Sequence, residues 1–154
     1  MRGGVRLGID VGKARIGVAR SDPHGMLATP VSTVARSESA VGDILTIAAE
    51  SDCTEIVVGL PLSLTGSHTP STADAEEFAQ LLAQHSPVPV RMVDERLSTV
   101  SAQSALHASG RTTKNSRAVI DQVAAVIILQ HALDMERASS REPGTVIQPN
   151  GSPV

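Results

Sequence analysis

Hydrophobic and polar residues alternate from the start of the chain. Val5, Leu7 and Ile9 interleave with Arg6, Gly8 and Asp10, the period-two pattern of a half-buried strand. Residues 15–21, RIGVARS, repeat it, and the VGKA between them reads as the turn of a hairpin. Asp22, Pro23 and Gly25 mark the next turn. A third strand is predicted over 27–35, and Pro30 within it favours an edge, because proline cannot donate to a ladder. The period then changes. Val41, Ile44, Leu45 and Ala48 fall at helical spacing, predicting a helix over 38–52. Residues 55–61, EIVVGLP, form a continuous apolar run suited to a parallel strand covered on both faces. After a polar loop over 62–69, residues 71–85 predict a helix. Ser71 or Thr72 would cap it, Asp74, Glu76 and Glu77 would suit its positive end, and Ala75, Phe78, Ala79 and Leu82 form its stripe. VPVRMVD, residues 88–94, closes a βαβ unit.

Beyond it a helix is predicted over 98–109, stopped by Gly110. A basic loop over 111–117 follows. A long helix over 118–137 is apolar nearly all round, so packing on several sides is expected. From 139 the composition shifts to SSREPGTVIQPNGSPV, which predicts a disordered tail over 139–154. The expected architecture is one α/β domain over 1–138. Its mixed five-stranded sheet has three antiparallel strands, then two parallel ones, with helices on both faces.

Composition narrows the class. The chain has 154 residues, 41% hydrophobic and 19% charged, ordinary for one soluble domain. The longest apolar run, 123–129, is far too short to span a membrane. MRGGVRLGID has no apolar core for a secretory signal, so a cytoplasmic location is expected. Cys53 is the single cysteine, which excludes an internal disulfide. A reduced, partly buried thiol is expected, with a disulfide between two copies as the alternative. Phe78 is the one aromatic residue, which argues against a base-stacking platform.

Net charge is −3, yet the cations are grouped. No acid lies between Glu95 and Asp121, where Arg96, Arg111, Lys114 and Arg117 all fall. Lys13, Arg15 and Arg20 occupy a second acid-free stretch between Asp10 and Asp22. Such basic rims suit a phosphate-bearing substrate, although chance clustering on solvated faces produces the same pattern.

Three acidic positions stand out beside them. Asp10 ends the first strand, Asp94 and Glu95 end the last, and Asp121 lies near the start of the apolar helix. Sites in open α/β sheets form at the carboxyl ends of strands, where these groups can converge. Each also has a plainer reading: a turn-holding Asp10, a Glu95 paired with Arg96, an Asp121 answering the helix dipole. Carboxylates without thiols or a His-x-x-x-His spacing suit hard cations such as Mg²⁺ or Mn²⁺. Two such ions about 4 Å apart can clamp an in-line phosphoryl displacement. Gly8 and Gly12 are expected to let metal and phosphate approach the backbone. GIDVGK lacks the spacing of a Walker A loop and has Ala14 where a hydroxyl is required.

The segments LGIDVGKARIGVARSD, IVVGLPLSLTGS, VRMVDERLSTVSA and IDQVAAVIILQ, in that order, resemble the YqgF/RuvX family over about residues 5–138. That family is similar to RuvC resolvases. LGIDVG alone is shared with actin-like and sugar-kinase ATPases, but those need a second domain and a second phosphate loop. The resemblance implies an RNase H-like fold and a hydrolase acting on phosphodiester bonds. Members are described as nucleases maturing the 5′ end of pre-16S rRNA and as Holliday junction resolvases. It implies that Asp10, Glu95 and Asp121 are the catalytic and metal-binding acids, holding Mg²⁺ or Mn²⁺, with two ions expected. Whether Asp94 shares the role of Glu95 stays open. Lys13, Arg96, Arg111, Lys114 and Arg117 are the expected substrate contacts. The partner would be precursor rRNA or branched DNA, bound by a monomer or homodimer. A non-catalytic ribosome-associated module is the alternative of another class. One departure is clear: RuvC-type resolvases end the fourth strand in a carboxylate, where this chain has Gly59-Leu60-Pro61.

Overall fold

In the computed structural model, which describes residues 3–63, 65–94 and 116–147, the chain opens with three antiparallel strands. These are β1 (Val5–Val11), β2 (Arg15–Ser21) and β3 (Ala28–Ala35). Helix α1 (Ala40–Glu50) leads into β4 (Cys53–Leu60), and helix α2 (Pro70–His85) into β5 (Val90–Asp94). Helix α3 (Ser116–Ser139) and a short strand β6 (Thr145–Val146) follow. The sheet order is β3-β2-β1-β4-β5-β6. β4 runs parallel to both β1 and β5, as the βαβ pattern requires. β3 is an edge strand, and its register with β2 shifts beside Pro30, which absorbs the missing donor.

Strand alternation divides the side chains between two layers. Leu7, Ile9, Ile16 and Val18 meet Ile44 of α1 and Phe78 and Leu82 of α2 on one face. Ala19, Val57 and Val93 meet Ala125, Ile128, Leu129 and Ala132 of α3 on the other. Helices thus cover both faces, as expected.

The expected count of five strands is corrected to six among the described residues. Thr145 and Val146, inside the stretch read as a disordered tail, pair antiparallel with Met92 and Arg91. Arg91 explains the docking. Buried in the sheet, it bonds Glu55 through Nε at 2.7 Å, the carbonyl of Pro143 at 3.3 Å and the carboxylate of Glu142. The cap of α2 is also different. Thr69 accepts from the Thr72 amide while the Thr72 hydroxyl accepts from the Thr69 amide, and Pro70 begins the helix. This is a capping box with threonine in place of the usual acid. Within α3 the fully buried residues form one sheet-facing stripe, while Val123, Ala124, Val126 and Ile127 are half-buried. The helix predicted over 98–109 lies outside the described residues.

Candidate active site

Asp10 is the penultimate residue of β1, a central strand, and its register partner on β2 is Gly17. It has the parity of Arg6 and Gly8, and therefore lies on the α3 face. Arg6 there pairs with Glu136 of α3 at 3.3 Å, both buried. Gly8 lies under Leu129 and Ala125: a Cβ at Gly8 would sit 2.6 Å from the Leu129 Cβ and 3.0 Å from the Ala125 carbonyl oxygen. Gly17 is closer still. A Cβ there would collide with the main-chain carbonyl of Asp121. The helix is thus laid on β1 and β2 with almost no spacer, and Asp121 is set directly over the register partner of Asp10. Neighbouring strands are about 4.8 Å apart, so Asp10 and Asp121 share one corner of the sheet.

The expected role of the glycines is corrected by these contacts. Gly8 admits a helix, not a phosphate. Gly12 closes the hairpin: its amide donates to the Arg15 carbonyl at 2.9 Å, and a Cβ would lie 2.6 Å from that oxygen. Room beside Asp10 is therefore set by how α3 packs.

The carboxylate of Asp121 accepts a hydrogen bond from Arg15 Nε at 2.8 Å. Arg15 has the parity of Gly17 and reaches over the same face. Sequence reasoning noticed it only as one of three cations in an acid-free stretch, because its partner is 106 residues away. A second feature it missed braces the turn. Arg36 bonds both oxygens of Asp74 at 3.0 and 2.9 Å, donates to the Gly12 carbonyl at 2.9 Å, and lies 5.0 Å over the Phe78 ring. The paired guanidinium holds the Asp74 carboxyl below its usual range, and the carboxylate raises Arg36 in turn.

Other expected residues stand apart. Asp94 has the parity of Val90 and Met92, on the α1 and α2 face, opposite Asp10. Lys13 is exposed at the hairpin turn. Glu95, Arg96, Arg111 and Lys114 lie outside the described residues, and of Arg117 only the backbone, in the first turn of α3, is described. Among the described residues no cluster of three His, Cys, Asp or Glu is formed that could hold a metal alone. Cys53 is free and buried in the core, and burial pushes its thiol up. A cleft of about 410 Å³ lined by Arg20, Asp22, Leu27 and Glu50 opens at the other end of β1 and β2, away from Asp10. No described helix is long and apolar enough to cross a membrane.

Similarity to known proteins agrees with this frame. A protein from Clavibacter michiganensis subsp. michiganensis, "Putative pre-16S rRNA nuclease", is 61% identical over 97% of this chain and 95% of its own. One of the same name from Leifsonia xyli subsp. xyli is 60% identical over 99% of this chain and 100% of its own. The structure of Thermus thermophilus RuvC in complex with a Holliday junction substrate superposes with a TM-score of 0.55 at 18% identity, over 92% of this chain and 98% of that one. The fold is that of RuvC, an RNase H-like mixed sheet with helices on both faces. A family model described as "RuvX: Holliday junction resolvase" matches residues 4–135, and the chain belongs to the RuvX family.

Proposed function

We propose that this protein is a divalent-metal-dependent endonuclease acting on structured RNA, with the 5′ side of precursor 16S rRNA as its substrate. The observation that carries this reading is the meeting of Asp10 and Asp121 on one face, through the contact of α3 with Gly17. The donors fit a hard cation: they are carboxylate oxygens, and Asp121 already holds a positive group, the Arg15 guanidinium. Glu95 is the third acid in this reading.

Asp10, Glu95 and Asp121 would hold Mg²⁺ or Mn²⁺. When bound, a pair of such ions lowers the pKa of a coordinated water and stabilises the attacking and leaving oxygens. The protein's own part is positional. β1 and α3 carry the two acids on one face of the sheet, and the Arg36 brace holds the β1–β2 turn that follows Asp10. Lys13, Arg96, Arg111, Lys114 and Arg117 would engage flanking phosphates, which position a substrate without reading its sequence.

The names of the relatives favour rRNA. The family description and the RuvC likeness favour a second reading, Holliday junction resolution. That reading requires two copies to cut two strands symmetrically. It also lacks the acid on β4, where Gly59 and Leu60 end the strand.

The test is one assay with two substrates. Purified protein with Mn²⁺ is offered a labelled pre-16S rRNA 5′ region and a four-way DNA junction side by side. Cleavage of the RNA is expected, abolished in Asp10→Asn with an unchanged melting curve. Asparagine keeps size and a hydrogen-bond acceptor but loses the charge that holds a cation. Cleavage of the junction alone would move the function to DNA. Equal cleavage by Asp10→Asn would remove Asp10 from the chemistry, and binding without cleavage would leave a non-catalytic ribosome-associated module.

A further inference from the structure

Taking Asp121 as a metal ligand, as proposed above, we infer that Arg15 is an exchangeable counter-ion that couples metal binding to nucleic-acid binding. Arg15 holds Asp121 through a single Nε bond of 2.8 Å, and its side chain is 37% exposed against 19% for Asp121. Among the described residues only that nitrogen is committed, which leaves the rest of the guanidinium to another oxygen anion. Arg15 is the first residue of β2, and Asp10 pairs with Gly17, two residues further along. Arg15 is therefore the diagonal neighbour of Asp10, within reach of a long side chain. Its guanidinium already occupies the Asp121 carboxylate that a metal ion would have to use.

Two consequences follow from charge. With Arg15 on Asp121, an incoming divalent ion meets a carboxylate already neutralised and a guanidinium that repels it. With Arg15 on a substrate phosphate, that carboxylate is open and the repulsion is spent on an anion. A solvated pair of this kind is weak, worth a factor of about five in an equilibrium, so a polyanion can break it. Nucleic acid should raise metal affinity, and by linkage metal should raise nucleic-acid affinity by the same factor. Arg36, the other arginine at this turn, has no such freedom, since Asp74 and Gly12 share its guanidinium.

The experiment measures binding. Mn²⁺ is titrated by calorimetry into wild type, Arg15→Gln, Arg15→Lys and Asp121→Asn. Binding of a labelled RNA stem with a 5′ single-stranded flank is followed by anisotropy with and without Mn²⁺, and its intactness is checked on gels. Arg15→Gln should bind Mn²⁺ about fivefold tighter without RNA. It should bind RNA more weakly, and Mn²⁺ should no longer raise its RNA affinity. Arg15→Lys, which keeps the charge, should retain the coupling. If Asp121→Asn loses Mn²⁺ but Arg15→Gln binds Mn²⁺ like wild type, the exchange is overturned while the metal site stands. If Asp121→Asn binds Mn²⁺ like wild type, the metal site itself is overturned and the exchange with it.

Discussion

Gly17 has no side chain because the main chain of Asp121 occupies the place of one. An added methyl would have to push α3 off β2, and overpacking of this kind costs about 3 kcal/mol. Gly17→Ala should lower the unfolding free energy read from urea melts by that much and, by moving Asp121, also weaken Mn²⁺ binding. Gly42 is the control. It lies on the exposed side of α1 with nothing within 4 Å of a built Cβ. Gly42→Ala should stabilise by about 0.5–1 kcal/mol, through helix propensity and a less disordered unfolded chain. A Gly17→Ala protein as stable as wild type would show that α3 does not set the site. At this scale the sequence was half legible. The end of an alternating strand located Asp10, but the purpose of Gly8 and Gly17 was not readable. The groups that require them, Leu129 and Asp121, come from the far end of the chain.

Arg36 and Asp74 act between elements. One guanidinium ties the end of β3, the β1–β2 turn and α2 into a unit. The sequence assigned Asp74 to the positive end of its helix and Phe78 to the apolar stripe. It could not pair Asp74 with a residue 38 positions earlier, since loop and strand positions carry no periodic signature. The linkage has a definite sign. Asp74 has a lowered folded pKa, so its contribution is present above the unfolded value of about 3.9 and is lost as pH falls through the folded value. Asp74 is partly exposed, so screening limits the contribution to about 1 kcal/mol. Urea melts of wild type and Asp74→Asn should differ by up to that amount at pH 7. The gap should narrow continuously below the usual aspartate range. A gap that stays constant down to pH 2 would mean that the brace works through shape and not charge.

On the scale of the whole molecule, the hydrophobic pattern located the sheet's first five strands, yet it ended the fold at 138. The residues after it are polar, rich in serine and proline, and carry only Val146 and Ile147 as an apolar pair. Composition of that kind does not reveal docking that depends on a buried arginine elsewhere. Arg91 sits in the sheet with Glu55 at its side, and the segment from Glu142 to Thr145 brings it a carboxylate and a carbonyl. Gly144 takes a positive φ of 65°, and a Cβ there would strike the Met92 carbonyl. The Ile147 amide then donates to Val90 at 2.8 Å, and its side chain packs on the core. A chain cut after residue 138 loses all of this, whereas one cut after 147 keeps it. Two or three hydrogen bonds at about 1 kcal/mol each, with some apolar burial, predict a loss of about 3 kcal/mol for the shorter chain only. There is a second consequence. Without β6, the hydrogen-bonding edge of β5 is bare, and a bare edge recruits other chains. The shorter chain should therefore aggregate with rising concentration in light scattering, at temperatures where the longer one stays monodisperse. Equal melts and equal scattering for the two would reduce residues 139–147 to an ornament of the sheet. A loss confined to the shorter chain would extend the folded unit to residue 147.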